Sequence, residues 1–83
     1  MHRTTVRFRK AFASLPPDIQ QRARDSFKLL QTNDHHPSLH FKSVGKFWSV
    51  TVTDAVRALA VKEGADYVWV WIGTHDEYDR LVG

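Results

Sequence analysis

Two side chains near the end of the chain, His75 and Tyr78, place an imidazole and a phenol three residues apart. They follow an apolar stretch, and on a helix positions three apart share one face. Both groups could therefore act on one substrate as proton donor, proton acceptor or orienting group. Lys42, Lys46 and Arg57 lie on or between segments with strand character and would add positive charge. This set of groups suits the binding or cleavage of a phosphodiester.

The three cations also have a structural interpretation. Arg57 lies within an apolar strand, where it needs a carboxylate, a phosphate or solvent on its face. Asp76 or Glu77 could be that partner instead of a substrate. Lys42 and Lys46 flank a tight turn, and each could simply be a solubilising surface lysine.

The imidazole and the phenol allow a similar alternative. His75 could occupy the first turn of a capped helix, with Asp79 one turn later as its local partner. Tyr78 could pack its ring on the sheet. Their joint position beside the cations is what favours a function.

The first third of the chain has the period of helices. One apolar face recurs at helical spacing and consists of Phe8, Ala11, Phe12 and Leu15. This helix must end near Leu15, because Pro16 and Pro17 cannot continue it. Pro17 suits the first turn of a second helix, whose apolar face is Ile19, Ala23, Phe27 and Leu30. The polar run 32–37 ends that helix, so the pattern predicts a helical hairpin.

The period then changes to two, which is typical of strands. Alternation indicates strands near residues 39–43, over 47–53 and over 56–61, and an apolar run predicts a central strand over 67–72. Thr74 and Glu77 form a capping-box pattern, so a short helix should begin near His75. The predicted fold class is α+β: an N-terminal helical hairpin packed on a twisted antiparallel sheet of three to four strands, with a short C-terminal helix.

Composition limits the class of protein. The 83 residues are expected to form one domain, 1–83, with a thin margin of stability. There is no cysteine, so disulfides and thiolate metal sites are excluded. No apolar run approaches the roughly 18–20 residues that span a bilayer, and the N-terminus lacks the apolar stretch of a signal peptide. A cytoplasmic protein without membrane contact is expected.

The charge is distributed unevenly. Residues 1–46 hold nine Lys/Arg against three Asp/Glu, whereas residues 47–83 hold three against six. The basic half could attract nucleic acid or an acidic protein segment, or could carry only solvated helix faces. His35, His36 and His40 match no standard zinc spacing, so they are expected to form a polar connector, and no metal or cofactor is expected.

Over residues 7–82 the chain resembles RelE/ParE-superfamily toxins of bacterial type II toxin–antitoxin modules. The resemblance is carried by blocks in a specific order and spacing: 8–11 (FRKA), 15–19 (LPPDI), 27–30 (FKLL), 36–39 (HPSL), 48–50 (WSV), 56–59 (VRAL) and 72–78 (IGTHDEY). The fold of this superfamily, helices packed on a twisted antiparallel sheet, agrees with the one that the periodicity predicts.

The resemblance implies a function. RelE-like members cut mRNA in the ribosomal decoding site without metal: the ribose 2′-hydroxyl attacks the adjacent phosphate and leaves a 2′,3′-cyclic phosphate and a 5′-hydroxyl. By resemblance, Arg57 matches the arginine that binds the scissile phosphate, and Lys42 falls near the basic residues of the cleft, with Lys46 a weaker candidate. His75 and Tyr78 match the acid/base or orienting positions, and which of them is the base stays open. The implied partners are a cognate antitoxin, the ribosome and mRNA.

The chain departs from the superfamily at three points. Thr51 stands where an arginine is very common, Val56 stands where an aromatic residue is common, and the N-terminus is short, so the usual first strand should be missing or reduced. Losing a cleft cation costs transition-state stabilisation. The alternative function is therefore a non-catalytic binding module, either a ParE-like gyrase inhibitor or a RelE fold that only binds its antitoxin.

Overall fold

Three helices and five strands build the fold, in a computed structural model that describes residues 1–82. A 3-10 helix (Pro37–Leu39) follows the second helix. The elements in chain order are β1 (His2–Thr4), α1 (Val6–Ala13), α2 (Pro17–Thr32), β2 (Lys42–Val44), β3 (Phe47–Thr53), β4 (Val56–Glu63), β5 (Asp66–Thr74) and α3 (His75–Val82). The α+β class, the helical hairpin and the short last helix are confirmed.

The sheet has five strands in the order β1-β5-β4-β3-β2. It is larger than the predicted three to four strands, and it is mixed, because β1 pairs parallel with β5 whereas the other pairs are antiparallel. The first strand is present but reduced to three residues, too few to show an alternating pattern. The predicted strand near 39–43 is wrong in its first part: Pro37 begins a 3-10 helix there, and β2 starts only at Lys42.

The main core lies between the helical hairpin and one face of the sheet. Phe8 of α1 and Ala23 and Leu30 of α2 are buried against it. The sheet contributes inward-facing residues from three strands: Val50, Val52, Val56, Ala58, Ala60, Trp69 and Ile72. Burial of this apolar face, rather than helix propensity, is the main term that stabilises helices of 8 and 16 residues.

The other face of the sheet carries α3 and a smaller core of Leu59, Trp71 and Tyr78. A bulge in β5 makes this arrangement possible. Leu59 pairs with Trp71 and Ala60 with Trp69, so Val70 is an extra residue in β5. Residues two apart normally share a face, but the extra residue sends Trp69 into the main core and Trp71 under α3.

The helix ends follow the sequence signals closely. The Thr5 hydroxyl accepts from the Phe8 N–H at 3.1 Å and so caps α1. Pro17 is the first residue of α2. The Thr74 hydroxyl accepts from the Glu77 N–H at 3.3 Å and donates to the Glu77 carboxylate at 3.1 Å, which confirms that α3 begins at His75.

Within residues 1–82, none of the helices is both long enough and apolar enough to cross a bilayer.

Candidate functional site

A cleft of about 260 Å³ opens on the sheet face that carries α3. Four of the five site residues expected from the sequence lie in its wall, namely Lys42, Arg57, His75 and Tyr78. The remaining lining residues are His40, Ser49 and Thr51. The wall contains two cations and two imidazoles and no carboxylate, so the cleft is suited to an anion.

The register of three strands brings the sheet residues together. Lys42 of β2 lies opposite Ser49 of β3. Two residues further along β3, Thr51 lies opposite Arg57 of β4. Because side chains alternate across a sheet, Lys42, Ser49, Thr51 and Arg57 project to the same face. Neighbouring strands are about 4.8 Å apart, so this face presents its polar groups over a span that one phosphate and its sugar could cover.

Arg57 is half-buried and is held by main-chain carbonyls rather than by a carboxylate. Its Nη1 donates to the carbonyl oxygens of Asp54 at 3.2 Å and Val56 at 3.1 Å, and also to that of Thr53. The alternative pairing with Asp76 or Glu77 is not formed. Since all these bonds use Nη1, the Nε and Nη2 donors make no hydrogen bond within residues 1–82 and are free for a planar anion.

The start of α3 positions His75. The His75 N–H donates to the Ala55 carbonyl at 2.8 Å, which ties the helix to the β3–β4 turn. Its Nδ1 lies 3.3 Å from a carboxylate oxygen of Asp79, as expected for the local partner one turn later. A carboxylate at Nδ1 favours a proton there and leaves Nε2 as the free acceptor.

Tyr78 is only 9% exposed and is fixed by packing. It belongs to the small core with Leu59 and Trp71, and its ring centroid is 6.0 Å from that of His75. The hydroxyl makes no hydrogen bond to another group of residues 1–82, although the residue lines the cleft. Packing on the sheet and participation in the site, which the residue pattern alone presents as alternatives, therefore coexist in this residue.

Gly73 makes room for the indole of Trp71 in the small core. Gly73 pairs with Arg57 of β4, so it lies on the cleft face of the sheet beside that residue. A Cβ added at Gly73 would lie 2.5 Å from Cζ2 of Trp71 and 3.1 Å from its Cε2. The indole thus occupies the space of the missing side chain, and this close approach requires glycine.

Lys46 is the one expected site residue that does not line the cleft. It lies in the turn between β2 and β3, with Nζ 5.3 Å from the centroid of the Phe47 ring. A cation over a partly buried aromatic ring next to a turn is an ordinary surface contact. Lys46 is in the two-residue turn, whereas Lys42 is at the start of β2 and lines the cleft.

The sequence pattern does not assign three of the cleft residues to the site, namely His40, Ser49 and Thr51. It places His40 in a polar connector, and the resemblance singles out Thr51 only as a replacement for arginine. A signal for His40 was available, because it lies two residues before Lys42 and alternates with Phe41. The 3-10 helix that turns His40 toward the cleft has no such signal in the period-two pattern.

Two cavities of about 510 and 530 Å³, and two of about 330 Å³, are larger than this cleft and have a different chemistry. The first is lined by Asp34 and by a single titratable imidazole, His2. The second, between α1 and α3, contains Asp76 and Glu77 beside two arginines. The two cavities of about 330 Å³ contain no tyrosine. None of the four combines an imidazole, a phenol and cations without a carboxylate, so the smaller cleft is the candidate site.

The histidines of the connector do not form a metal centre. The Nδ1 of His36 accepts from the Ser38 N–H at 3.3 Å and caps the 3-10 helix, while His35 lies beside Asp34 in solvent. In the described part of the chain, no group of three His, Asp or Glu side chains is arranged to hold a metal ion.

Comparisons with known proteins agree with this fold. The chain is similar to the toxin fold in the RelB–RelE antitoxin–toxin complex from Methanococcus jannaschii, with a TM-score of 0.74, 10% identity, and coverage of 98% of this chain and 99% of that one. It is also similar to a copper-bound mutant toxin from Helicobacter pylori, with a TM-score of 0.63, 12% identity, and coverage of 92% and 94%. No curated protein sequence matches the chain.

The two structures share the fold at low identity, so family membership rests on the sequence itself. The family model of the ParE-like toxin domain matches residues 17–80, which run from the start of α2 into α3 and include every residue of the cleft wall. The chain therefore belongs to the ParE-like toxin domain family, within the RelE/ParE superfamily of toxin–antitoxin toxins.

Proposed function

We propose that this toxin is a ribosome-dependent mRNA endoribonuclease that cleaves by attack of the ribose 2′-hydroxyl on the adjacent phosphate, without metal. The observation that carries the proposal is the composition of the cleft wall, which joins Arg57, Lys42, His75 and Tyr78 and contains no carboxylate. Transfer to the 2′-oxygen needs a base, an acid for the departing 5′-oxygen, and positive charge around the phosphorane.

Arg57 is the group proposed to hold the scissile phosphate. Its free Nε and Nη2 can bond two phosphoryl oxygens, while the carbonyl bonds of Nη1 fix the plane of the guanidinium. A donor that is already oriented is not reorganised during the reaction. Lys42, on the neighbouring part of the same face, adds a second charge for the nonbridging oxygens.

His75 and Tyr78 supply the acid/base or orienting groups. The Nε2 of His75 is free because Asp79 lies at Nδ1. The phenol of Tyr78 is fixed by the Trp71 support, so it can hold a substrate group in place with little loss of its own freedom.

The surface charge supports an RNA-rich environment and an acidic partner. Within residues 1–82, Arg3 is the only Lys or Arg side chain within salt-bridge distance of a carboxylate, at 3.9 Å from Glu63 and 3.6 Å from Asp66. Unneutralised cations attract phosphate backbones. We propose that a cognate antitoxin neutralises the toxin, in line with the similarity to the toxin of an antitoxin–toxin complex, and that the protein acts as one domain of residues 1–83 in the cytoplasm.

Primer extension on a defined mRNA tests the nuclease proposal. A reconstituted translation system is supplied with wild-type toxin, with and without ribosomes, and the 3′ ends of the products are analysed for a cyclic phosphate. Cleavage at codons in the decoding site that needs ribosomes, and that is lost in Arg57→Ala, is the expected result. Absence of cleavage by folded wild-type protein contradicts it.

A second candidate function follows from Thr51. A hydroxyl replaces a cation at the partner position of Arg57, so the cleft holds less charge than a phosphorane would use best. A non-catalytic toxin of ParE type would act on gyrase or would only bind its antitoxin. Expression that triggers DNA-damage signalling while protein synthesis continues would favour this second function.

A further inference from the structure

His40 has a backbone conformation that is uncommon for residues other than glycine. With φ 45° and ψ 43° it lies in the left-handed region, and it is the only non-glycine residue of 1–82 with positive φ. This conformation costs a residue with a Cβ about 1–2 kcal/mol relative to the right-handed region, and glycine adopts it most easily. The turn from the 3-10 helix into β2 would therefore be better served by glycine.

The side chain at this position has a reason to be present, because His40 lines the same cleft as Arg57 and His75. It is exposed, and its ring makes no hydrogen bond within residues 1–82, so it stabilises nothing that glycine would lose. The charged and titratable groups around it in the cleft wall come from β2, β4 and α3 and are Lys42, Arg57, His75 and Tyr78.

The proposed reaction requires two proton transfers, and the two imidazoles differ in how they are held. Asp79 lies at Nδ1 of His75, so the lone pair of Nε2 is free to accept a proton. His40 has no carboxylate in the cleft wall. An imidazolium releases its proton near neutral pH far more readily than an ammonium or a phenol does, so it is the better acid there.

We propose that His40 is the general acid of the cleft and that His75 is the base, an inference that rests on the proposed nuclease function. Nε2 of His75 takes the proton of the 2′-hydroxyl as the 2′-oxygen–phosphorus bond forms. The phosphorus–5′-oxygen bond breaks, and protonated His40 gives its proton to the leaving 5′-oxygen. The products are a 2′,3′-cyclic phosphate and a 5′-hydroxyl, and exchange with water restores both imidazoles.

The backbone conformation of His40 provides an unusually clean variant. His40→Gly removes the imidazole at a position that accepts glycine without strain, so its melting temperature should equal or exceed that of the wild type. His40→Asn is a second variant that tolerates the left-handed region. His35→Asn is the matched control, because His35 is a solvated histidine of the same connector outside the cleft.

Single-turnover cleavage on programmed ribosomes is measured against pH, with and without free imidazole. We expect His40→Gly to cleave about 10²-fold more slowly, within the range of general acid catalysis, with ribosome binding unchanged. The decline in rate on the alkaline side of the wild-type profile should disappear in this variant. Free imidazole should restore part of the rate, and His35→Asn should behave like the wild type.

Each outcome decides a separate point. A His40→Gly variant that keeps the wild-type rate and pH profile overturns the role of His40 and leaves the nuclease function standing. Loss of the acidic side of the profile instead would assign His40 as the base and overturn its role as the acid. A slow variant that imidazole does not rescue would make His40 structural. No cleavage by the wild type overturns the proposed function and this inference together.

Discussion

Thr51 and Arg57 are direct partners across β3 and β4, and both line the cleft. The strand next to Arg57 thus offers a neutral hydroxyl at the position directly opposite the guanidinium residue. Val52, the next residue, is an extra residue in β3, because Thr53 already pairs with Val56. The bulge follows Thr51 immediately, so position 51 is the last on β3 that keeps regular pairing beside Arg57.

Thr51→Arg should raise the cleavage rate. The new guanidinium would lie beside Arg57 and share the charge of the phosphorane, and removal of one such donor in enzymes typically costs about 10²–10³-fold. We expect a gain of about tenfold or more, because the site already holds two cations. Single-turnover cleavage on ribosomes measures it.

Ser43→Arg is the control for total charge. Ser43 is exposed on β2 and pairs with Trp48, which lies on the main-core face of the sheet and not on the cleft face. The Ser43→Arg variant therefore adds the same charge outside the cleft wall. An equal gain in both variants would show that general attraction to RNA, and not the site, limits the reaction.

Arg57→Lys should lose most of the activity although it keeps the charge. The guanidinium of Arg57 is held by the carbonyls of Asp54 and Val56 and still presents two parallel donors. A lysine ammonium is not planar and cannot do both. We expect about a 10²-fold loss in cleavage rate with little change in melting temperature. Activity close to that of the wild type would mean that only a point charge is needed at this position.

Tyr78→Phe and Tyr78→Ala should separate chemistry from packing. Phenylalanine keeps the ring on Leu59 and Trp71 and removes only the hydroxyl, so stability should hold while the cleavage rate falls. Alanine would leave a cavity in the small core and lower the free energy of unfolding by about 3–5 kcal/mol. Chemical denaturation combined with cleavage assays measures both; unchanged cleavage in Tyr78→Phe would remove the phenol from the mechanism.

Gly73→Ala should destabilise the protein and reduce activity together. The added methyl would meet the Trp71 indole at 2.5 Å, and this indole belongs to the same small core as Tyr78. Overpacking of this kind costs about 1–3 kcal/mol. Gly64→Ala is a contrasting control, because its Cβ would meet nothing within 4 Å and only its positive φ is strained. Equal activity of both variants would show that the Trp71 support does not position the site.

The stability of the β1 edge should decrease as the pH falls below neutrality. Burial, together with the nearby N-terminal charge, lowers the pKa of His2 below its ordinary value of 6.5, and Asp34 opposes this only in part. The folded state therefore resists the proton that the unfolded state accepts. The contribution of neutral His2 to the free energy of unfolding is therefore complete above pH 6.5. It is lost as the pH falls toward the lowered pKa of His2 in the folded state.

The hydrogen bond of His2 gives this pH dependence its structural basis. Nδ1 of His2 accepts from the Trp69 indole N–H at 3.0 Å, which a protonated ring could not do. Thermal melts of wild type and His2→Asn between pH 5 and pH 8 test this, and the variant should show the flatter profile. Identical profiles would assign the dependence to other groups.

The elements with a strong period were predictable from the sequence, and the site followed them in part. The helical hairpin was marked by its apolar faces and by Pro17, and α3 by Thr74 and Glu77. These are local signals that tertiary packing did not override. Arg57, Lys42, His75 and Tyr78 share one cleft because the antiparallel order of β2, β3 and β4 follows from short turns.

What could not be predicted depends on contacts that are distant in the sequence or on single backbone angles. β1 has three residues, and its partner Tyr67 lies 65 residues from His2. The left-handed angle of His40 and the extra residue Val70 leave no mark on a periodic pattern. Lys46 flanks the same tight turn as Lys42 and is a weaker candidate by resemblance, but its ammonium lies over the Phe47 ring and not in the cleft.

The extra residue in β5 also protects the pairing of the sheet against slippage. If β5 moved by one residue against β4, its side chains would change faces, so Trp69 would leave the main core and Trp71 would leave the small core. Both cores would then hold side chains of the wrong size. The observed alignment of β4 and β5 fills both cores, and the same alignment places Arg57 beside α3.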